Sequence, residues 1–116
     1  MKLDAQDHDG LLVITVDEDR LYASAALSFK EGFRGLVADH SCDVVLNLSR
    51  VDFLDSSGLG ALVAARKIMG PDRALDLAQL QPIVAKVLAL THMDRVFNIH
   101  TDCDAALAAH QVRSAG

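Results

Sequence analysis

A short aliphatic segment near the middle of the chain limits the possible folds most strongly. It spans residues 43–48 and reads DVVLNL, with three apolar residues in succession. Such a run predicts a β-strand buried on both faces. The stretch before it, Ser24 to His40, has apolar residues at helical spacing, with charged residues between them. A helix that leads into a doubly buried strand is typical of a crossover connection, so an α/β layered fold is predicted.

A hairpin is predicted at the N-terminus. The segment LLVITV at 11–16 is apolar and rich in β-branched residues, and Asp9-Gly10 precedes it. This dipeptide tolerates the positive φ angles that a tight hairpin turn requires. We therefore expect residues 2–7 to form the antiparallel partner strand, so that a mixed sheet has at least one antiparallel edge pair.

The second half of the chain continues the alternation of helices and strands. Gly70-Pro71 ends one helical pattern, because proline disfavours helical geometry in the preceding residue, and Pro82 suits the first turn of the next helix. Thr101 or Asp102 can cap a last helix. The predicted segments are a helix at 57–69, a weaker strand at 74–80, a helix at 82–91, a strand at 96–99 and a helix that continues to 112. The fold class is thus α/β: a single domain over residues 1–112, in which a mixed sheet of about four to five strands packs with about four helices, and a frayed tail at 113–116.

Charge and hydropathy exclude several classes of function. The 116 residues include 11 Lys and Arg against 16 Asp and Glu, a formal net charge of -5, without a basic cluster that could neutralise a row of phosphates. Nucleic acid is therefore not an expected partner. Apolar runs such as Gly58 to Ala65 are far shorter than the roughly 18 to 20 residues of a membrane span, so none is expected. The N-terminus turns acidic where a secretory signal would be positive and then apolar, which predicts a cytoplasmic protein.

The cysteines and histidines do not form a pattern typical of a metal site. Cys42 and Cys103 are widely separated, and reduced thiols that act as small, buried apolar side chains are the simpler interpretation. The spacing of His100 and Cys103 could in principle ligate a metal, but no second ligand pair accompanies it. No metal site and no cofactor are predicted.

The segment DSSGLG at residues 55–60 is the least ordinary part of the sequence, because it stands at a predicted helix N-terminus. Asp55 or Ser56 can accept hydrogen bonds from the first free N–H groups, and the same N–H groups and the helix dipole favour an anion. Gly58 and Gly60 each lower helix propensity by about 0.5 to 1 kcal/mol, which indicates a close approach of another backbone or of a partner. From spacing alone, a purely structural helix start remains an alternative.

The ten residues at 51–60, VDFLDSSGLG, resemble the signature of bacterial anti-sigma factor antagonists, members of the STAS domain family. The run at 43–48 resembles the central strand of that family. Residues 82–88 and 93–97 are similar to its later helix and final strand. The resemblance covers nearly the whole chain in order and implies a STAS fold.

The resemblance implies a phosphorylation switch at Ser56. In that family the first serine after the aspartate is phosphorylated by a partner that is both anti-sigma factor and serine kinase, and a serine phosphatase reverses the modification. The unmodified protein binds the anti-sigma factor and frees the sigma factor. Ser57, the second hydroxyl, is interpreted as a local cap. The residues expected to contact the partner are Asp19, Leu21, Tyr22, Asp55, Ser56, Ser57, Gly58, Leu59, Gly60, Leu62, Val63 and Arg66.

The sequence departs from the family pattern in two places. The segment Asp17 to Ala23 resembles the one that joins the partner interface, but the usual glycine near the end of the preceding strand is absent. His92 stands where the family often has glycine, so a different local loop geometry is expected there.

Two alternatives compete with the switch. A STAS domain can act as a scaffold or accessory subunit of a stress-signalling assembly or a lipid transporter, in which binding matters and phosphorylation does not. An enzyme would require Ser56 as the nucleophile, but no GxSxG elbow surrounds it and no histidine is placed in sequence as its base. No GxxxxGK[ST] phosphate loop is present either, so ATP is expected to belong to the partner. The chain is therefore not predicted to be an enzyme.

Overall fold

Seven strands and four α-helices are formed by residues 2–115, which are the residues that the computed structural model describes. In chain order they are β1 (Lys2–His8), β2 (Leu11–Asp17), β3 (Arg20–Leu21), α1 (Ala23–Ala38), β4 (Asp43–Asn47), β5 (Phe53–Leu54), α2 (Ser56–Met69), β6 (Leu75–Ala78), α3 (Pro82–Leu90), a 3-10 turn (Met93–Arg95), β7 (Ile99–His100) and α4 (Cys103–Ala115). Within these residues, no helix is both long and apolar enough to cross a membrane.

Five strands form one mixed sheet in the order β1-β2-β4-β6-β7. β1 pairs antiparallel with β2, and the other three pairings are parallel. The hairpin turn uses Asp9 and Gly10 at φ angles of 54° and 86°, as the Asp-Gly dipeptide predicted. The predicted α/β class, the mixed sheet and the four helices are confirmed.

The central strand β4 is buried on both faces, as its sequence predicted. Val44 and Leu46 face a large core shared with α1, α2 and α3, whereas Val45 faces a smaller cluster with Ala106 of α4. Helices therefore cover both faces of the sheet. This arrangement places α2 against the larger core with its N-terminus beside β5.

The last strand lies later than the predicted 96–99. The N–H groups of Val96 and Phe97 both donate to the carbonyl of Met93, at 3.0 and 3.2 Å, so the chain is still turning at these positions. Phe97 is buried in the core. Pairing with β6 in register begins only at Ile99, and the predicted start of this strand was wrong.

His92 adopts a left-handed conformation, with φ of 62° and ψ of 17°. The backbone at this position is therefore in the region that glycine favours, although a histidine occupies it. The predicted domain limits stay a prediction: α4 is described to Ala115, and Gly116 of the predicted tail lies outside the described residues.

Candidate functional site

Helix α2 begins directly after a capping aspartate. Asp55 has extended backbone, and its Oδ1 accepts a hydrogen bond of 2.9 Å from the N–H of Gly58. Its carbonyl oxygen accepts the N–H of Leu59 at 2.9 Å. Of the two candidate caps, the structure therefore selects Asp55, and Ser56 becomes the first helical residue, exposed to solvent. The interpretation of Ser57 as a cap was wrong, since it lies half-buried within the first turn.

Gly58 is required by the close approach of β3. A Cβ atom at this position would overlap the carbonyl oxygen of Leu21 and would lie 2.6 Å from Cδ1 of Leu54. The close approach predicted for this glycine is confirmed. At Gly60 no backbone of the described residues comes close, because a Cβ there would meet nothing within 4 Å, so for this glycine the approach of a partner stays a prediction.

A second, two-stranded parallel sheet of β3 and β5 joins the segment after β2 to the start of α2. The N–H of Asp52 donates to the carbonyl of Asp19 at 2.8 Å, and the N–H of Asp55 donates to that of Leu21 at 3.4 Å. Residues 17–23 therefore lie beside the start of α2, as the resemblance implied.

Two aromatic rings stand on the surface of this small sheet. Tyr22 is 39% exposed and Phe53 is 48% exposed, and their ring centroids are 6.4 Å apart in an edge-to-face arrangement. Exposed aromatic side chains next to a modifiable residue are the kind of group that anchors a protein partner. The sequence analysis included Tyr22 but missed Phe53.

Comparison with known proteins agrees with this architecture. The family model of the STAS domain matches residues 2–106. The chain belongs to the STAS domain family. The resemblance based on residues 51–60 is thereby confirmed.

Relatives of this STAS domain include antagonists of anti-sigma factors. The anti-sigma-F factor antagonist RsfB of Mycobacterium tuberculosis is 29% identical over 102 residues, which cover 87% of this chain and 82% of the relative. The crystal structure of an anti-sigma factor antagonist from Mycobacterium paratuberculosis superposes with a TM-score of 0.84 at 29% identity, covering 95% of this chain and 93% of that one. A STAS domain protein from Planctomyces limnophilus shares the fold, with a TM-score of 0.83 at 23% identity and coverage of 93% and 96%.

Most of the predicted contact residues of the STAS domain lie on one surface. Five are exposed, namely Asp19, Tyr22, Ser56, Gly60 and Arg66, and four are half-buried, namely Asp55, Ser57, Leu59 and Val63. Val63 and Arg66 lie further along α2, and Arg66 is in its last turn. We call the other seven of these residues together with Phe53 the Ser56 surface.

Three predicted contact residues are core residues instead. Leu21 and Leu62 are 0% exposed, and Gly58 is buried against the backbone of Leu21 and the side chain of Leu54. They were assigned to the contact surface from their place in the motif and in a helical stripe. Their burial corrects that assignment: they support the Ser56 surface from below.

The border of the Ser56 surface is acidic. Asp19, Asp52 and Asp55 are brought together by the backbone bonds between the two short strands, and Glu18 adjoins them. Among the described residues, none of these four carboxylates has an ion-pair partner, whereas Asp17 is paired with Lys2 and Arg50. Arg20 is the one basic residue in segments 17–23 and 51–57, against five acidic residues, so a negative group added at Ser56 would join an excess of negative charge.

His100 and Cys103, the possible metal ligands in the sequence, have other neighbours in the structure. His100 Nε2 lies 2.9 Å from Oδ2 of the buried Asp76. Burial, together with the carboxylates of Asp102 and Asp104, raises the pKa of the Cys103 thiol. Within residues 2–115, no group of three or more His, Cys, Asp and Glu side chains is arranged to hold a metal ion.

Proposed function

We propose that this STAS domain is a phosphorylation-switched antagonist of an anti-sigma factor. The unmodified Ser56 surface binds a partner that is both anti-sigma factor and serine kinase, so that a sigma factor is released. Phosphorylation of Ser56 by that partner weakens the complex, and a serine phosphatase restores binding. In this proposal the chain works in the cytoplasm, uses no cofactor and catalyses no reaction of its own.

The exposed hydroxyl of Ser56 on a rigid helix start is the observation that supports the proposal most directly. Asp55 fixes the first turn through its cap, and Gly58 packs against the carbonyl of Leu21. Since Ser56 is exposed, a phosphate on its hydroxyl would project outwards from the surface. A kinase can reach such a hydroxyl, and a docked partner would have to accommodate any group added to it.

The added charge explains how modification would weaken binding. A phosphoserine carries about -1.5 to -2 charges at neutral pH. The helix N-terminus tolerates an anion, so the modified domain stays folded. A partner surface that fits a neutral hydroxyl beside Asp55 would instead have to desolvate two neighbouring negative groups, which is unfavourable.

The direct test uses the purified protein with ATP, magnesium and the serine kinase encoded nearest to its gene. Mass spectrometry locates the phosphate, and partner affinity is measured for the wild type, Ser56→Ala and Ser56→Asp. We expect phosphate on Ser56, binding retained by the alanine variant and binding weakened at least about tenfold by the aspartate variant. Ser57→Ala is the matched control and should still be phosphorylated at Ser56.

The same experiment separates the switch from the scaffold. Tight binding to an active kinase that leaves Ser56 unmodified, with equal affinity for Ser56→Asp, would contradict the switch. It would favour a scaffold or accessory subunit that uses the same surface.

The aromatic pair gives a second test of where the partner binds. Because well-packed aromatic residues dominate many interfaces, Phe53→Ala and Tyr22→Ala should each weaken the complex by about tenfold. Leu90→Ala is the control, since Leu90 is 71% exposed at the end of α3 and is not part of the Ser56 surface. Equal affinity for all three variants would move the interface away from the Ser56 surface.

A further inference from the structure

Four cationic side chains line two adjoining clefts at the C-terminal end of α2. One cleft, of about 570 Å³, lies between α1 and α2, and the other, of about 640 Å³, lies between the end of α2, β6 and the segment that precedes β7. Lys67 and Arg73 line both clefts, Arg34 lines the first and Arg66 lines the second. These four are a large share of the 11 Lys and Arg in a chain of net charge -5.

Arg73 closes the ends of two helices. Its Nε donates to the carbonyl of Met69 at 3.2 Å, and its Nη1 donates to those of Val37 and His40 at 3.2 and 2.7 Å. The C-terminal ends of two helices each carry about half a negative charge, so the guanidinium roughly balances them. Arg73 therefore lines both clefts in a position fixed by three hydrogen bonds, and the two helix ends largely balance its charge.

The other three cations, Arg34, Arg66 and Lys67, form no ion pair in the part of the chain that the structure describes. Among the described residues, the ion pairs of basic groups involve Lys2, Arg50, His100 and His110, and not Arg34, Arg66 or Lys67. All three side chains are exposed, and Arg66 and Lys67 lie in the last turn of α2, where the helix dipole favours a cation. Within residues 2–115, three cations without an ion pair thus surround the two clefts.

The one carboxylate that lines a cleft faces the other side of the sheet. Asp76 lies between Leu75 and Leu77, whose side chains enter the large core, so the alternation of the strand turns its side chain towards α4. It is buried and contacts His100 at 2.9 Å. Its ion pair with His100 therefore lies on the α4 side of the sheet.

The second cleft also has an apolar wall. Val63, Pro71, Leu75 and Val96 line it beside the cations, and the exposed Asn98 adds a polar group. Its volume lies within the roughly 300 to 1,000 Å³ typical of small-molecule sites. Cations on one side and aliphatic surface on the other suit an organic molecule that carries two or more negative charges.

We infer that the clefts at the C-terminal end of α2 bind a multiply charged organic anion, with Arg66 and Lys67 as its principal contacts and Arg34 as an outer contact. The ligand carries clustered phosphate or carboxylate groups. The site is separate from the Ser56 surface, since the 14 residues of α2 place the two ends of the helix about 20 Å apart. The inference does not depend on the proposed switch.

Titration of the ¹⁵N-labelled full chain, at an ionic strength held constant with sodium chloride, tests the site. Pyrophosphate and citrate are the two probes, so that phosphate and carboxylate chemistry are distinguished. For at least one of them we expect saturable shifts of the amide signals at residues 63–76 and 96–98. The double variant Arg66→Gln/Lys67→Gln should raise the Kd at least about tenfold, because two charge-assisted contacts are lost.

Lys86→Gln is the matched control, since Lys86 is exposed on α3 and lines neither cleft. Its Kd should equal that of the wild type. Because both substituted cations of the double variant are exposed, that variant should fold, which its amide spectrum shows directly. Shifts that do not saturate with either probe, shifts spread over all basic residues, or an unchanged Kd in the folded double variant would overturn the inference.

Discussion

Helices α2 and α4 begin in the same way, yet only one of the two N-termini presents a modifiable group to solvent. Asp55 caps α2 through a 2.9 Å bond from the N–H of Gly58, and Asp102 caps α4 through a 2.8 Å bond from the N–H of Ala105. In both, the residue after the cap carries a nucleophilic side chain. It is the exposed Ser56 in α2 and the half-buried Cys103 in α4. The cap and the dipole are thus shared, and the surroundings make the difference.

Two differences separate these helix starts. The third helical residue is Gly58 in α2, where β3 leaves no room for a Cβ, and Ala105 in α4, where a methyl group fits. Cys103 also lies between two carboxylates that help to raise its pKa, whereas Ser56 adjoins Asp55 alone. A capped N-terminus is therefore only a framework, and the approach of β3 and the aromatic pair turns one of the two into a candidate binding surface.

The largest expected effect on stability comes from substituting the third helical residue of α2 and of α4. Gly58→Ala should lower the free energy of unfolding by about 3 kcal/mol, because its Cβ overlaps the backbone of Leu21, which cannot move as a side chain could. Ala105→Gly should cost only about 0.5 to 1 kcal/mol, the difference in helix propensity. Urea denaturation of both variants measures the contrast.

Gly60→Ala is the control for Gly58→Ala within the same helix. Nothing lies within 4 Å of its added Cβ, so it should stabilise the domain by about 0.5 to 1 kcal/mol. Equal changes in the free energy of unfolding at the two glycines would mean that β3 does not closely contact α2.

The next largest effect concerns the reactivity of the first helical residue. In Ser56→Cys, the new thiol is exposed at a helix N-terminus, which lowers a thiol pKa, whereas burial and two carboxylates raise that of Cys103. Since the thiolate is the reactive species, iodoacetamide should modify position 56 at least about tenfold faster than Cys103 at pH 7.5. Peptide mass spectrometry resolves both sites in one sample, so Cys103 is the internal reference. Similar rates would show that the two environments differ less than the structure indicates.

The two helix starts also show which structural features a sequence can predict. The strand β4 and a cap at Asp55 or Ser56 follow from local rules, because three apolar residues in succession predict a buried strand and an Asp-Ser pair before a helical pattern predicts a cap. Gly58 and Gly60 differ by two positions and have the same propensity. Only the approach of β3, which is 37 residues or more away in the chain, distinguishes them.

The Ser56 surface was predicted in part for the same reason. Phe53 was missed because β5 has two residues, too few to show an alternation of buried and exposed side chains. Leu21 and Leu62 were placed on the surface because an apolar residue next to a motif fits either a core or an interface. Burial is decided by which elements pack together, and a single sequence does not display that.

A smaller effect is expected from removing the caps. Asp55→Ala and Asp102→Ala should each lower the free energy of unfolding by about 1 kcal/mol, because the N–H of the third helical residue loses its acceptor. The two Asp→Asn variants should lose only a few tenths, since the amide oxygen accepts the same bond. Urea denaturation of the four variants measures the free energy of unfolding that each of the two caps contributes. A loss at α2 that greatly exceeds the loss at α4 would show that Asp55 has a structural role beyond capping.

The smallest expected effect isolates the second carboxylate at α4. Asp104→Asn removes a negative charge that opposes ionisation of Cys103, so the thiol pKa should fall towards its ordinary value. At pH 7.5 the alkylation rate of Cys103 should then rise about two- to threefold, and the midpoint of its pH profile should move to lower pH. Asp94→Asn, on the 3-10 turn, is the charge-matched control and should leave the profile unchanged.

The raised pKa of Cys103 also makes the stability of the domain depend on pH. A thiol whose pKa is raised by folding ionises first in the unfolded chain, so its contribution to stability is complete below the unfolded pKa and is lost as the pH rises through the folded one. Asp104→Asn should reduce that alkaline loss, and an unchanged loss would assign the raised pKa to burial and Asp102.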